Sequence, residues 1–317
     1  MTTQNPVASS AGANQRRSLE APSPRYGEKV IKVLLGAAAA FSVAVTTGIV
    51  LSLLFGAIEF FQQVPFTEFF SGAKWAPSFA DPSFGVWPIV VATLNVVFWS
   101  LVVAVPVGLA SAIYLAEYAP SRVRKTVKPL LEVLAGIPTV AIGLFAIGLL
   151  RPLAEDLFPF LPWLGPFSVG VAGVAVGLLI VPLIASVSDD AMRSVPGGLR
   201  EGAYALGASK ARVAVRVVFP AAISGIVAAI VLAVSRAIGE TMVVLMAAGA
   251  TPQLTLDPTK SAQTMTAYIG QVATGDAAFG TLDYYTIFAV GALLFVMTLI
   301  MNSFAIRLVR RFREVYE

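Results

Sequence analysis

Two opposite charges stand inside an apolar run, in the stretch Ser235-Arg236-Ala237-Ile238-Gly239-Glu240-Thr241. A charge held in hydrocarbon costs several kcal/mol, so such residues face a bundle interior or a watery path. Arg236 and Glu240 are four residues apart, which on a continuous helix puts them on one face and within pairing distance. Gly239 leaves space beside them. A guanidinium stays charged at any physiological pH and matches oxyanions bidentately, so an arginine that exchanges its carboxylate partner for an anion forms a weak, transient site that suits a pathway. The plainer reading is that the two charges neutralise each other and pin helix packing.

Other chemistry is excluded by composition. The 317 residues contain no histidine and no cysteine, which removes the usual proton shuttle, the usual triad base, thiol chemistry and the commonest metal ligands. No GxxxxGK[ST] loop is present, so any ATP must be hydrolysed on another chain. The sequence is 57% hydrophobic and 13% charged, against about 25% charged in ordinary globular chains. This is an integral membrane protein. Its net charge of +4 does not indicate nucleic acid, because the basic residues sort to one side of the membrane.

Six apolar segments have to position the charge pair. Residues 1–32 are polar, carry five Lys and Arg and lack an apolar period, which predicts a disordered cytoplasmic tail. The first span is set at 33–58, too long for the apolar part of a cleavable signal. Residues 59–85 form an outer loop rich in aromatics, with Phe60, Phe61, Phe66, Phe69, Phe70, Trp75, Phe79 and Phe84; they read as an interfacial belt or as a docking surface for an outer partner. Further spans follow at about 86–115, 129–150, 167–187, 213–248 and 284–308, with a cytoplasmic tail at 309–317. The segments assigned to the cytoplasm hold 18 of the 22 Lys and Arg, the outer loops three, and Arg236 is the last. That asymmetry places both termini inside. The fifth segment is too long for about 30 Å of hydrocarbon, and Pro220 and Gly239 are where it is expected to bend or break.

Between the fourth and fifth spans lies Pro196 to Pro220, PGGLREGAYALGASKARVAVRVVFP, a hydrophilic, basic stretch with the character of a loop held by another protein. After Pro196-Gly197-Gly198, Leu199 to Leu206 predicts about two helical turns, with Glu201 near the positive N-terminal end and Gly207 as a left-handed cap. Leu199, Ala203 and Leu206 fall at i, i+4 and i+7, a narrow apolar stripe suited to a partner's groove. The plain alternative is an ordinary capped interfacial helix.

The order Glu201, Ala203, Gly207, Phe219-Pro220 resembles the EAA loop of ABC importer permeases, with Gly202 standing where the first Ala is usual. RAIGETM at 236–242, LAGIPT at 134–139 and VPVGLASAIYLAEYAP at 105–120 resemble the phosphate-specific branch of those permeases. The long N-terminal tail and the outer loop after the first span are more PstC-like than PstA-like. The resemblance covers roughly residues 84–308. It implies an all-α integral membrane chain of six transmembrane helices, in the type I ABC importer permease fold, with a cytoplasmic coupling helix. It further implies a bacterial plasma-membrane protein that makes no covalent bond and is not an enzyme. Arg236, Gly239 and Glu240 would line the phosphate path. Leu199, Glu201, Ala203, Leu206 and Gly207 would belong to the helix that docks into an ATPase. The implied partners are a PstA-like second permease, PstB-like ATPase subunits that hold ATP and Mg, an extracytoplasmic PstS-like phosphate-binding protein met by residues 59–85 and 251–283, and membrane lipid. No cofactor or metal is implied for this chain.

Two other assignments compete. A permease for molybdate or sulfate keeps the same architecture. A secondary carrier coupled to ions would use Glu240 or Glu132 as a proton or cation site and would work without an ATPase. A mere scaffold would tolerate neutralising Arg236 and Glu240 together.

Overall fold

Phe60, Phe69, Trp75 and Phe84 are buried together, so the aromatic segment that sequence pattern assigns to a membrane belt in part builds its own core. The computed structural model describes residues 26–163, 165–275 and 277–311. The chain divides into two units, Met1–Ser52 and Leu53–Glu317.

Helix α1 is Tyr26–Gln63. It begins inside the segment assigned to a disordered tail, because no proline follows Pro24 before it and Glu28 lies in its first turn, where a carboxylate favours the helix dipole. The rest of that tail lies outside the described residues. After α1 come α2 (Phe66–Ser71), β1 (Trp75–Ala76) and β2 (Ser83–Phe84). The two strands pair antiparallel, with Trp75 opposite Phe84. Edge-to-face ring contacts link Phe60 to Phe69 and Phe84, at centroid distances of 5.6 and 5.5 Å, and Trp75 to Tyr268 at 5.0 Å.

Helix α3 runs Trp87–Ile113 and ends in a π-turn at Tyr114–Tyr118. Helix α4 is Ser121–Ala135, α5 is Thr139–Phe145, and a π-turn at Ala146–Leu150 leads into α6 at Arg151–Leu157. The third span is therefore not one rod from Pro129. Ser121–Ala135 meets Thr139–Leu157 at 89°, because Pro138 denies the helix a donor and pushes Ile137 out of helical geometry. Helix α4 buries none of its residues in this chain.

Helix α7, Val169–Arg193, starts at Ser168, whose hydroxyl accepts from the Val171 N–H at 3.2 Å. It is the central element. Its glycines admit α3 closely: a Cβ at Gly173 would stand 2.5 Å from Trp99 Cβ, and one at Gly177 would stand 2.8 Å from the Ser100 carbonyl oxygen. On α3, a Cβ at Gly108 would stand 2.8 Å from the Ile184 side chain.

Helix α8 is Gly197–Ala205 and α9 is Lys210–Val213, and a π-turn at Ala214–Val218 leads into α10 at Phe219–Ala221. Helix α11, Ile223–Ile238, leaves that pair at 72°, which is the bend expected at Pro220. Helix α12 is Met242–Ala247, α13 is Met265–Thr274 and α14 is Leu282–Arg311. Among the described residues four helices are long and apolar enough to cross a membrane, or up to six crossings result if each bent pair counts as one. The C-terminal tail set at 309–317 is still helix through Arg311, and residues 312–317 lie outside the described residues.

Candidate functional site

The break at Gly239 separates the two charges that sequence spacing pairs. Helix α11 stops at Ile238 and α12 begins at Met242, so Arg236 and Glu240 no longer share one helix face. Among the described residues no ion pair joins them, and Arg236 has no hydrogen-bond or ion-pair partner. The Glu240 carboxylate instead accepts from the N–H of Val243 at 3.2 Å and so satisfies an orphan donor in the first turn of α12. Arg236 stands in the last turn of α11. Each charge is thereby stabilised by its own helix end, a cation at a C-terminus and an anion at an N-terminus. The i, i+4 expectation failed because it assumed a continuous helix.

Arg236 and Gly239 are exposed in the single chain, whereas Glu240 is 9% exposed. A Cβ at Gly239 would meet nothing closer than 3.7 Å, so the backbone there is approachable. Polar groups converge on the break. The Thr266 hydroxyl donates to the Glu240 carbonyl at 2.6 Å, Ser235 donates to Asn302 at 2.6 Å, and Thr264 caps α13 by accepting from the Ala267 N–H at 3.2 Å. Thr264, Thr266 and Gln263 are buried. Chemically, the arrangement presents a guanidinium with no partner among the described residues, three positions before an open backbone at Gly239, within an apolar segment.

The segment after α12 folds back over the start of α7. The carbonyl of Pro258 accepts from Gly170 N–H at 2.8 Å and Ser168 Oγ at 2.7 Å. Asp257 shapes this turn by accepting from the Thr259 hydroxyl at 2.7 Å and its N–H at 3.0 Å. Those two bonds hold the Asp257 carboxyl below its usual range, the hydroxyl contributing most.

The EAA-type loop ends its helix in a Schellman motif. Gly207 takes φ 78°, its N–H donates to Tyr204 O at 2.9 Å, and Ala208 N–H donates to Ala203 O at 3.1 Å. Helix α8 starts two residues before the expected Leu199, so Glu201 sits in its second turn, exposed, and not at the N-terminal end. Pro196 sets the entry, with an extended ψ of 136°. The stripe also divides. Leu199 and Leu206 are exposed, Leu206 at 91%, while Ala203 packs onto the core formed by Met192, Val213 and Val218. Nothing lies within 4 Å of a Cβ added at Gly207, so a substitution there meets strain from φ alone. Gly207→Ala is expected to cost about 1–2 kcal/mol, and thermal unfolding of the purified chain measures it.

Among the described residues, ionic contacts between distant positions were not foreseen from the sequence. Arg200 pairs with Glu117 at 3.0 Å, and the Glu117 side chain is 5% exposed. Arg124 pairs with the fully buried Asp189 at 2.8 Å. Lys128 reaches Asp190. The available signal was acidic residues at the ends of apolar spans on the side richest in Lys and Arg. Glu132, a candidate ion site for a carrier, is exposed on α4.

The chain matches the family described as "Binding-protein-dependent transport system inner membrane component" over residues 104–314. It is 35% identical over 231 residues to the "Probable ABC transporter permease protein YqgH" of Bacillus subtilis, covering 73% of this chain and 74% of that one. It is 30% identical to the "Phosphate transport system permease protein PstC" of Pasteurella multocida, over 94% of this chain and 98% of the relative. Among solved structures, a chain of a bacterial ABC transporter that imports the acidic polysaccharide alginate aligns with TM-score 0.60 and 15% identity, over 92% of this chain and all (100%) of that one. The bent third and fifth crossings and the loop between α7 and α11 thus fall in a known architecture, the type I importer permease fold. The chain is a multi-pass membrane transport subunit that belongs to the inner membrane components of binding-protein-dependent transport systems, in their PstC-like branch.

Proposed function

We propose that this chain is the permease subunit of an ATP-driven importer of inorganic phosphate in a bacterial plasma membrane. It forms the phosphate path together with a PstA-like second permease. PstB-like ATPase subunits, which hold ATP and Mg, dock against α8, and a PstS-like binding protein delivers phosphate to the opposite face, onto residues 59–85 and 251–283. Both termini lie in the cytoplasm, the side that carries the excess of Lys and Arg.

The observation that carries this reading is the guanidinium of Arg236, without a partner among the described residues, at a helix break inside an apolar crossing. A broken helix at mid-membrane depth is where transporters bind ions and anions. ATP binding closes the ATPase subunits and moves the coupling helices. That motion opens the path toward the binding protein. Phosphate, stripped of part of its water, is compensated by Arg236 and then leaves toward the cytoplasm. The chain's contribution is temporary charge compensation.

Proteoliposomes containing both permeases, the ATPase and the binding protein test this. Labelled phosphate should accumulate only with ATP, and sulfate or molybdate in excess should not compete. Uptake without the ATPase, or equal competition by either oxyanion, overturns the assignment.

A further inference from the structure

Arg200 does more than add positive charge to its loop. Its Nε and Nη2 donate to Glu117 Oε1 at 3.2 and 3.0 Å, its Nη1 donates to the Val195 carbonyl at 2.7 Å, and its Nη2 donates to the Met192 carbonyl at 2.8 Å. One side chain on α8 therefore grips the π-turn that ends α3 and the carbonyls at the C-terminal end of α7. The ion pair is shielded, with the arginine side chain 20% exposed and the glutamate 5%. Tyr118, next to Glu117, receives Lys210 over its ring at 5.0 Å. Two consecutive residues at the end of α3 thus hold α8 and α9, the two short helices of the loop.

What Arg200 grips is itself stiff. Helices α3 and α7 pack through Gly108, Gly173 and Gly177 so closely that a Cβ at any of these would collide. Tight packing of this kind transmits displacement instead of absorbing it. By contrast, α11 leaves the loop through a 72° bend at Pro220–Ala222 and is not collinear with it.

We infer that Arg200 is the positioning residue that locks α8 to the α3–α7 pair, so that a push on α8 moves those helices as one body. The inference rests on the reading of α8 as the element that docks the ATPase. Lysine cannot replace arginine, because one ammonium does not span a carboxylate and two carbonyls in a fixed fork. Glutamine at position 117 keeps an acceptor and removes the charge.

The chain has no cysteine, so when it is labelled before assembly with unlabelled partner subunits, the introduced labels are the only ones in the complex. Spin labels at Gly202→Cys on α8, where nothing lies within 4 Å, and at Val107→Cys on α3, which is 47% exposed, read the distance between the two elements in the assembled transporter. In the otherwise unaltered transporter, ATP binding should leave that distance unchanged. With Arg200→Lys or Glu117→Gln it should change by several ångström, and phosphate moved per ATP should fall about tenfold, as expected for losing a hydrogen bond between charged groups. The ATPase subunits should still co-purify. A distance that already changes on ATP binding with Arg200 and Glu117 in place overturns the inference. So does a distance, or a transport ratio, that neither substitution alters, and so does a loss of ATPase binding that accounts for the whole effect. If the transporter moves no phosphate at all, the proposed substrate fails, and the label distance still decides the clamp.

Discussion

Arg236→Gln should abolish phosphate uptake in the reconstituted transporter while the ATPase subunits remain bound. Among the described residues Arg236 has no ionic partner, and it stands in the last turn of α11 beside an open backbone at Gly239. Glutamine keeps much of the length and loses the charge. Two hydrogen bonds to a charged group are worth roughly 3–6 kcal/mol, so the transport rate should fall by more than about a hundredfold. Arg236→Lys should recover part of it, since charge survives and the bidentate fork does not. Glu240→Gln should be much milder, because an amide oxygen can still accept from the Val243 N–H that the carboxylate now caps. If Arg236→Gln transports normally, the guanidinium is not on the path. If Glu240→Gln is as damaging as Arg236→Gln, the two act as a pair in some state of the cycle, contrary to their separation at the break.

The second large effect is on the fold. Gly173→Val should prevent stable assembly, because even its Cβ would lie 2.5 Å from Trp99 Cβ and 3.0 Å from the Val96 carbonyl oxygen. Neither contact is the loose end of a flexible chain. Overpacking in a tight interface costs about 1–3 kcal/mol or more, here at the central contact of α3 with α7. The thermal unfolding midpoint in detergent and the yield of folded protein should both drop. Gly48→Ala serves as the control, since nothing lies within 4 Å of the added methyl; it should be neutral or slightly stabilising by helix propensity. Equal behaviour of the two variants would show that α3 and α7 have room to part.

Hydropathy and the sorting of Lys and Arg were enough to reveal the apolar crossings, because a lipid environment demands long apolar segments and penalises charge within them. Backbone rules located the bends: proline at 138 and 220 removes a donor, and glycine at 207 and 239 permits a stop. The spacing of Glu201, Gly207 and Phe219-Pro220, with RAIGETM, was local enough to read without a structure. Tertiary packing decided the rest. Sequence spacing put Arg236 and Glu240 on one face, and only the break at Gly239, with the Glu240 carboxylate turned onto α12, separates them. It offered Leu199, Ala203 and Leu206 as one stripe, and the core under α8 withdrew Ala203. The aromatics of 59–85 alternate too irregularly to show which face packs, and the β1–β2 pair against α13 chose Phe60, Phe69, Trp75 and Phe84. Arg200–Glu117 and Arg124–Asp189 join residues 83 and 65 positions apart. No periodicity links such distant positions. They meet because glycines draw α3 and α7 together, and that contact depends on shape in three dimensions.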